Sequence, residues 1–381
     1  MLTAIVTVVI FLVMISLHEF GHFIVSKLVG VRVHEFAIGM GPAILKWQGK
    51  ETLYSLRIFP IGGYCALEGE DKKSDDEKAF CNQKWWKRFL VIVAGAVLNI
   101  ILGFAIIFGI NAGNEKVATP VVDSVLSEGY ADDAGMLPGD RIIRINGKRI
   151  NIYDDISYYT DKLIGEDVEI TVKRGDEKLT FTVKPTRETS TVYYEENGAR
   201  VVSSLNGEGE TEAVYEYIDK AAAKEYIGTN VTNERFIIGF VGSQEENTFW
   251  KNAKYSFFYT GFVVKVVCRG LLDLVTGKAG MEQVSGPVGI VSAVNTMVNS
   301  GSDWVKNVLN LTALLTINLG VFNLLPIPAL DGGRLFFMLI ELIRRKPIPA
   351  EKEGMVHAIG LMILLLFAVV ISFKDIWMLI R

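Results

Sequence analysis

Residues 1–27 read MLTAIVTVVIFLVMISLHEFGHFIVSK, and residues 1–17 carry no charged side chain. A helix that crosses the hydrocarbon core of a bilayer needs about 20 mostly apolar residues. A cleaved secretory signal begins with positive charge and ends at a small-residue site, and this stretch has neither feature. We therefore predict a retained membrane helix at about residues 2–27.

Three further stretches have the same apolar character. Residues 89–114 and 308–330 are uncharged, and residues 354–373 contain no Asp, Glu, Lys or Arg. Four such stretches in 381 residues exclude a simple soluble enzyme and predict about four transmembrane helices. The net charge of −4 argues against a nucleic-acid partner, which would require a basic face. The three cysteines show no paired spacing, so neither a disulfide framework nor a cysteine zinc cluster is expected.

Basic residues near the ends of the predicted helices indicate the orientation in the membrane. They are concentrated in the loops 28–88 and 331–353. By the positive-inside rule, both loops are expected in the cytoplasm. The two chain termini and the segment 115–306 are then expected on the outer side.

A fifth apolar segment, residues 255–264, continues into a polar stripe. Lys265, Arg269 and Asp273 fall on one side of a helix that is otherwise apolar. We predict an amphipathic helix over residues 251–276 that lies in the membrane interface. A further membrane span and a core helix of the outer domain stay open as alternatives.

The outer segment has the composition of a soluble domain. Runs rich in β-branched residues and bounded by turn residues predict strands at Val117–Val125, Arg141–Ile145, Val168–Lys173 and Leu179–Val183. Residues 188–235 are polar and indicate no definite element. Within them, Gly-Glu-Gly-Glu at 207–210 is interpreted as a loop.

The first predicted helix contains the chemically informative motif His18-Glu19-Phe20-Gly21-His22. Two imidazoles four residues apart lie on one helix face and can bind one zinc ion. The intervening Glu19 can act as a general base. Ionisable groups within a membrane segment are costly and usually functional. The alternative is a helix end whose polar side chains reach the interface.

A catalytic zinc ion requires three protein ligands, and Asp331 is the candidate for the third. The first and third predicted helices both run inward, and each reaches its candidate ligand after about 25 Å at 1.5 Å per residue. A helix-capping or turn role is the alternative for Asp331, because Asp-Gly is a common turn. His34 and His357 are interpreted as ordinary surface or interfacial residues.

These motifs together resemble the site-2 protease family of intramembrane zinc metalloproteases. The resemblance rests on His18–His22, on Asn-x-x-Pro-x-Pro-x-x-Asp-Gly at 323–332 and on the segment between them, and it is strongest for the bacterial regulator of sigma-E protease branch. It implies that His18, His22 and Asp331 bind Zn²⁺ and that Glu19 is the catalytic base. It further implies cleavage of single-span membrane proteins, such as anti-sigma factors and remnant signal peptides, in the bacterial cell membrane during regulated intramembrane proteolysis.

The segment 131–147 resembles the bacterial PDZ signature, which implies one PDZ-like domain that binds extended peptides by strand addition. The cytoplasmic loop resembles the family's glycine turn and its membrane-dipping β-hairpin. Substrate-contacting residues are accordingly expected at Gly39, Gly41, Gly62, Gly63, Asn318 and Asn323. A hairpin without a substrate role, and asparagines that bond neighbouring helices, stay open as alternatives.

The predicted fold class is an α-helical polytopic membrane protein with a membrane-associated β-hairpin and an inserted α+β PDZ-like extracytoplasmic domain. The expected parts are an N-terminal membrane domain, a PDZ-like domain, an extracytoplasmic extension, the amphipathic helix and a C-terminal membrane domain, at residues 1–114, 115–187, 188–250, 251–276 and 277–381. Two other functions stay open: a membrane-tethered PDZ adaptor without proteolytic activity, and a metal transporter. The transporter would place ionisable residues along a path across several spans.

Overall fold

The computed structural model describes residues 1–70, 72–125, 130–160, 166–195, 198–205, 208–215, 227–280, 282, 284–346 and 348–380. The helices are α1 (Leu2–Val29), α2 (Trp85–Ala112), α3 (Tyr130–Asp133), α4 (Tyr153–Thr160), α5 (Phe249–Val275), α6 (Pro287–Val298), α7 (Trp304–Asn323), α8 (Asp331–Arg344) and α9 (Ala350–Ile380). The strands are β1 (Val33–Gln48), β2 (Leu53–Leu67), β3 (Lys116–Val125), β4 (Arg141–Ile145), β5 (Lys148–Arg149), β6 (Val168–Arg174), β7 (Glu177–Val183), β8 (Thr186–Glu195), β9 (Gly198–Leu205), β10 (Glu208–Tyr215), β11 (Asn230–Ile237) and β12 (Phe240–Glu246).

The chain divides into two compact units. One unit comprises Met1–Ile110 and Val263–Arg381, and the other comprises Asn111–Phe262. In the described residues, four helices are long and apolar enough to cross a membrane, namely α1, α2, α7 and α9. They coincide with the four predicted stretches. Helix α7 nevertheless ends at Asn323, although the uncharged run continues to residue 330, because Pro326 and Pro328 cannot continue a helix.

The first two helices of the membrane unit approach each other closely. A Cβ atom added at Gly21 of α1 would lie 2.5 Å from the carbonyl oxygen of Ala94 in α2. Small residues permit such backbone contact between membrane helices. This contact fixes the position of α2 beside the second half of α1.

Strands β1 and β2 form the antiparallel hairpin that the sequence predicts in the loop between α1 and α2. Their pairing contains several register shifts, and the hairpin packs on α1, where the ring of Phe23 lies 5.0 Å from that of Phe36. Its outer part exposes apolar side chains, from 49% exposed at Met40 to 70% at Trp47. Such a surface suits lipid better than water.

In its described residues, the second unit forms two antiparallel sheets. One has the order β12–β3–β4–β6–β7, with β5 paired to β4, and its core includes Met136, Ile142 and Ile170. Strands β3, β4, β6 and β7 match the four predicted strands within two residues at each end. Strand β12 belongs to the predicted extension, yet it pairs with β3 of the predicted PDZ-like segment.

The second sheet, with the order β10–β9–β8–β11, lies in the polar stretch for which the pattern indicates no definite element. The loop predicted at 207–210 is wrong for its last three residues, which begin β10, while residue 207 lies outside the described part. Backbone pairing with β9 explains this strand, because Thr211–Tyr215 follow a regular antiparallel register.

The predicted amphipathic helix is present as the single helix α5, two residues longer at its start than expected. It is not among the four described helices that are apolar enough to cross a membrane.

Candidate metal centre

Three side chains converge in the membrane unit: His18 and His22 of α1, and Asp331 at the start of α8. The Nε2 atoms of the two histidines lie 3.2 Å apart. Oδ2 of Asp331 lies 3.1 Å from His18 Nε2 and 3.3 Å from His22 Nε2. The structure therefore brings together all three predicted metal ligands, which are the only such group found in the described residues.

These separations fit a single zinc ion. Tetrahedral ligands at about 2.05 Å from a metal lie about 3.3 Å from one another. The three measured separations, between 3.1 and 3.3 Å, agree with that value. Two imidazole nitrogens and one carboxylate oxygen also form a donor set that zinc accepts, with a fourth position left open.

The other ring nitrogen of each histidine contacts α2. His22 Nδ1 lies 2.8 Å from the carbonyl oxygen of Val91, so its N–H donates there and the Nε2 lone pair faces the centre. His18 Nδ1 lies 3.3 Å from Asn99 Nδ2, and Asn99 Oδ1 is buried without a hydrogen-bond partner in the described residues.

A histidine that offers Nε2 to a metal carries its proton on Nδ1 and needs an acceptor for it. Turning the Asn99 amide by half a turn places Oδ1 against His18 Nδ1, because amide oxygen and nitrogen have nearly the same shape. This arrangement satisfies the buried oxygen of Asn99 and orients His18 for the metal. Asn99 thus fits the role of a positioning residue.

Gly95, one turn before Asn99, makes room for the two imidazoles. A Cβ atom at this position would lie 2.5 Å from His22 Nε2 and 2.7 Å from His18 Cε1. Sequence reasoning missed Gly95 and Asn99. The signal that could have indicated them is the polar Asn99, four positions after Gly95, within a stretch that was interpreted only as a membrane span.

The segment between α7 and α8 carries Asp331 to the centre. Ala329 has a φ of 76°, a rare conformation for a residue with a side chain, and its N–H donates to His357 Nδ1 at 2.9 Å. Added Cβ atoms at Gly332 and Gly333 would lie 2.0 Å and 2.6 Å from backbone oxygens of this segment. The Asp-Gly-Gly sequence is therefore needed for the tight return into α8.

His34 and His357 lie outside the metal group, as expected. His34 is exposed and contacts Glu68 of the hairpin region. His357 of α9 has a structural contact that the sequence did not indicate, since it holds Ala329 two residues before Asp331.

Glu19 lines a cavity of about 640 Å³ together with His22 and Asp331. Strand β2 forms another wall of the cavity: a Cβ atom at Gly63 would lie 3.6 Å from Glu19 Cγ. Any side chain at Gly63 would also lie 2.8 Å from the carbonyl oxygen of Ala37. The hairpin backbone therefore approaches Glu19 because residue 63 has no side chain.

The other predicted substrate-contacting glycines lie in the hairpin. Gly39, Gly41 and Gly62 have φ values of 83°, 84° and 89°, which favour glycine. Cβ atoms at Gly39 and Gly41 would lie 2.7 Å and 2.6 Å from atoms of Phe59. Glycine is required at these positions because the two strands of the hairpin approach each other closely there.

The predicted asparagines lie in the second half of α7. Asn323 is buried and is the last residue of the helix. Asn318 Oδ1 is buried and has no hydrogen-bond partner in the described residues. A buried acceptor of this kind can receive an N–H group from a bound peptide.

Comparison with known proteins gives matches over nearly the whole chain. The model of peptidase family M50 matches residues 6–367. A Clostridium acetobutylicum protein provisionally named a zinc metalloprotease is 33% identical over 372 residues, covering 98% of this chain and 96% of the relative. The zinc metalloprotease RasP of Geobacillus kaustophilus is 28% identical, covering 97% of this chain and 96% of the relative. The regulator of sigma-W protease RasP of Bacillus subtilis is 28% identical, covering 98% of both chains.

Proposed function

We propose, from the premise that this chain belongs to peptidase family M50, the site-2 protease family, that it cleaves single-span membrane proteins within or near their transmembrane segments. The protein is a zinc-dependent metalloprotease of the membrane. The observation that carries the site assignment is the convergence of His18, His22 and Asp331, with donor atoms 3.1 to 3.3 Å apart.

In this proposal, His18, His22 and Asp331 would hold the zinc ion. Zinc, when bound, polarises a peptide carbonyl and lowers the pKa of water toward neutrality. The Val91 carbonyl orients His22, and the Asn99 amide orients His18. These contacts keep both Nε2 atoms directed at the centre.

Glu19 is the proposed general base. It follows His18 in the sequence and faces the cavity that His22 and Asp331 also line. Its carboxylate accepts a proton from the attacking water and then delivers that proton to the leaving amine. Loss of such a group typically slows a reaction by about 10² to 10⁴-fold.

The hairpin is the proposed substrate-binding element. A transmembrane helix offers no free backbone groups, so it must unwind before hydrolysis, and an unwound segment in lipid must find backbone partners. An edge strand supplies such partners, and β2 passes beside Glu19 at Gly63. The exposed apolar residues of the hairpin support its location in the membrane.

Asn318 is a second proposed contact for the substrate backbone. Its side-chain oxygen is a buried acceptor without a partner in the described residues. A peptide N–H group from the substrate would satisfy this oxygen. In the described residues, no neighbouring helix donates a hydrogen bond to it. Asn323, Gly39, Gly41 and Gly62 are proposed to shape the same binding region.

The proposed orientation follows the basic loops: the metal centre faces the cytoplasmic leaflet, and the unit Asn111–Phe262 lies outside with both termini. The sheet that contains β3–β7 is proposed to be PDZ-like and to screen substrates by strand addition. Anti-sigma factors are the favoured substrate class, since one relative is named a regulator of sigma-W protease. Remnant signal peptides form a second class.

The test is cleavage of a tagged single-span peptide by the purified protein in detergent. Glu19→Gln is expected to abolish detectable cleavage while zinc content remains at the level of the unchanged protein. Glu77→Gln, an exposed change of the same kind, is the matched control and should retain full activity. A fully active Glu19→Gln protein would refute the assignment of the base, and a zinc-free active protein would refute the metal site.

A further inference from the structure

A groove of about 380 Å³ in the second unit is lined by six basic side chains, which lie on β4, β5, β6, β7 and α5. They are Arg141, Arg144, Arg149, Lys173, Lys178 and Lys254. No acidic residue is among the described residues that line the groove. The proposed peptidase site makes no use of this groove.

The strand register places these cations directly opposite one another. Arg141 of β4 faces Lys173 of β6, and Lys173 faces Lys178 of β7, so three cations form one row across three strands. Arg144 and Arg149 form a further pair on β4 and β5. Like charges opposite one another destabilise a sheet, and an anion bound between them would relieve the repulsion.

The nearest carboxylates balance this charge only in part. Asp176 lies 3.6 Å from Lys173, but its side chain is fully exposed. Glu245 lies 2.8 Å from Lys251 and also interacts electrostatically with Arg141 and Lys254, so one carboxylate faces two of the six groove cations as well as a lysine outside the groove. The surplus of positive charge therefore calls for an anion from outside the chain.

Helix α5 forms one wall of the groove and carries exposed aromatic side chains. Asn247, just before α5, donates through Nδ2 to the carbonyl oxygens of Asn111 and Asn114 at 2.7 Å and 2.9 Å, where the membrane helix α2 ends. The following Phe249, Trp250 and Phe257 are 64% to 79% exposed, as aromatic residues at a bilayer interface are. Lys254 and Phe258 of the same helix line the groove.

We propose that this groove binds the phosphate headgroup of an anionic phospholipid. The row of cations supplies charge-assisted hydrogen bonds to the phosphate, and basic residues at a membrane surface attract anionic lipids. The exposed aromatic residues of α5 favour a lipid over a soluble acidic peptide, because they provide a surface for acyl chains on the same helix that contributes Lys254 and Phe258 to the groove. The bound lipid holds α5 in the interface.

The test measures lipid binding by the full-length protein in detergent, by native mass spectrometry. Short-chain phosphatidylglycerol is titrated beside short-chain phosphatidylcholine. The groove variant combines Arg141→Gln, Lys173→Gln and Lys178→Gln. The control variant combines Lys116→Gln, Lys148→Gln and Lys184→Gln, which are exposed residues of the same unit outside the groove and change the net charge equally.

The unchanged protein and the control variant are expected to prefer phosphatidylglycerol, and the groove variant is expected to bind it about 100-fold more weakly. Equal binding of both lipids by the unchanged protein would overturn the proposal, as would a preference retained in the groove variant. Glycerol phosphate that binds as tightly as the lipid would reassign the groove to soluble phosphates. An octaglutamate peptide that binds more tightly than the lipid would reassign it to acidic polypeptides.

If the groove variant does not fold, the salt dependence of the unchanged protein decides the question. A charge-based site should lose about tenfold or more in affinity for phosphatidylglycerol between low and high ionic strength. An affinity independent of salt would overturn the proposal.

Discussion

Replacing Gly95 with alanine should disable the metal centre through the addition of one methyl group. The added Cβ would lie 2.5 Å from His22 Nε2 and 2.7 Å from His18 Cε1. Ordinary contacts begin near 3.4 Å, so His22 would have to retreat by about 0.9 Å. Metal ligands tolerate displacements of about 0.2 Å, so the three donor atoms can no longer bind one ion together.

The two helices cannot separate easily to relieve this clash. Gly21 of α1 already packs against the backbone of Ala94. Misplacing a reacting group by about 1 Å costs roughly 100-fold in rate, and we expect at least that loss in zinc affinity, about 2.7 kcal/mol.

Zinc affinity is measured by chelator competition, and activity by cleavage of a tagged single-span peptide. Gly109→Ala is the matched control, because it lies in the same helix and a Cβ there meets no atom within 4 Å in the described residues. It should leave both quantities unchanged. A Gly95→Ala protein that binds zinc within about twofold of the unchanged protein would refute this prediction.

Three further changes test other parts of the structure. Asn99→Ala should lower zinc affinity by about 10- to 100-fold, measured by the same competition, because His18 loses its orienting partner; unchanged affinity would contradict that role. Arg174→Met should lower the free energy of unfolding by about 3 kcal/mol in denaturant titration. The buried carboxylate of Asp140, which Arg174 contacts at 2.7 Å, would lose its positively charged partner. A change below about 1 kcal/mol would contradict this prediction. Hydrogen bonds, including those from Ser55 and Arg57, overcome the effect of burial and lower the pKa of Glu35 to about 2. Its stabilising contribution is therefore present above about pH 4.3 and lost as the pH falls toward 2, and carboxyl NMR should show a midpoint that rises in Arg57→Gln.

Local patterns in the sequence predict the membrane helices and the histidine pair, because both depend on residues a few positions apart. Apolar runs long enough to cross a bilayer produce α1, α2, α7 and α9. A spacing of four places His18 and His22 on one face of α1. The prediction that Asp331 is a metal ligand required more than a local pattern. It rested on the depth of this residue in the membrane and on the resemblance to a known family.

Non-local packing explains the residues that the sequence did not indicate. Gly95 and Asn99 have meaning only once α2 lies against α1, and no local pattern predicts which helices will be neighbours. The β8–β11 sheet was missed for a different reason. It is held by backbone ladders and by polar pairs such as Thr191 with Thr232, at 3.0 Å, so it lacks the alternation of apolar residues on which strand prediction depends.

The metal centre draws its side chains from opposite ends of the chain: His22 belongs to the first helix, and Asp331 follows it by 309 residues. At synthesis rates of about 5 to 20 residues per second, the ribosome needs roughly 15 to 60 s to pass from one to the other. If the metal site is the one proposed, the nascent chain carries the two histidines without the Asp331 carboxylate throughout that interval. On the proposed site, the protease can therefore bind its zinc ion only after its third membrane helix and the following Asp331 have been made.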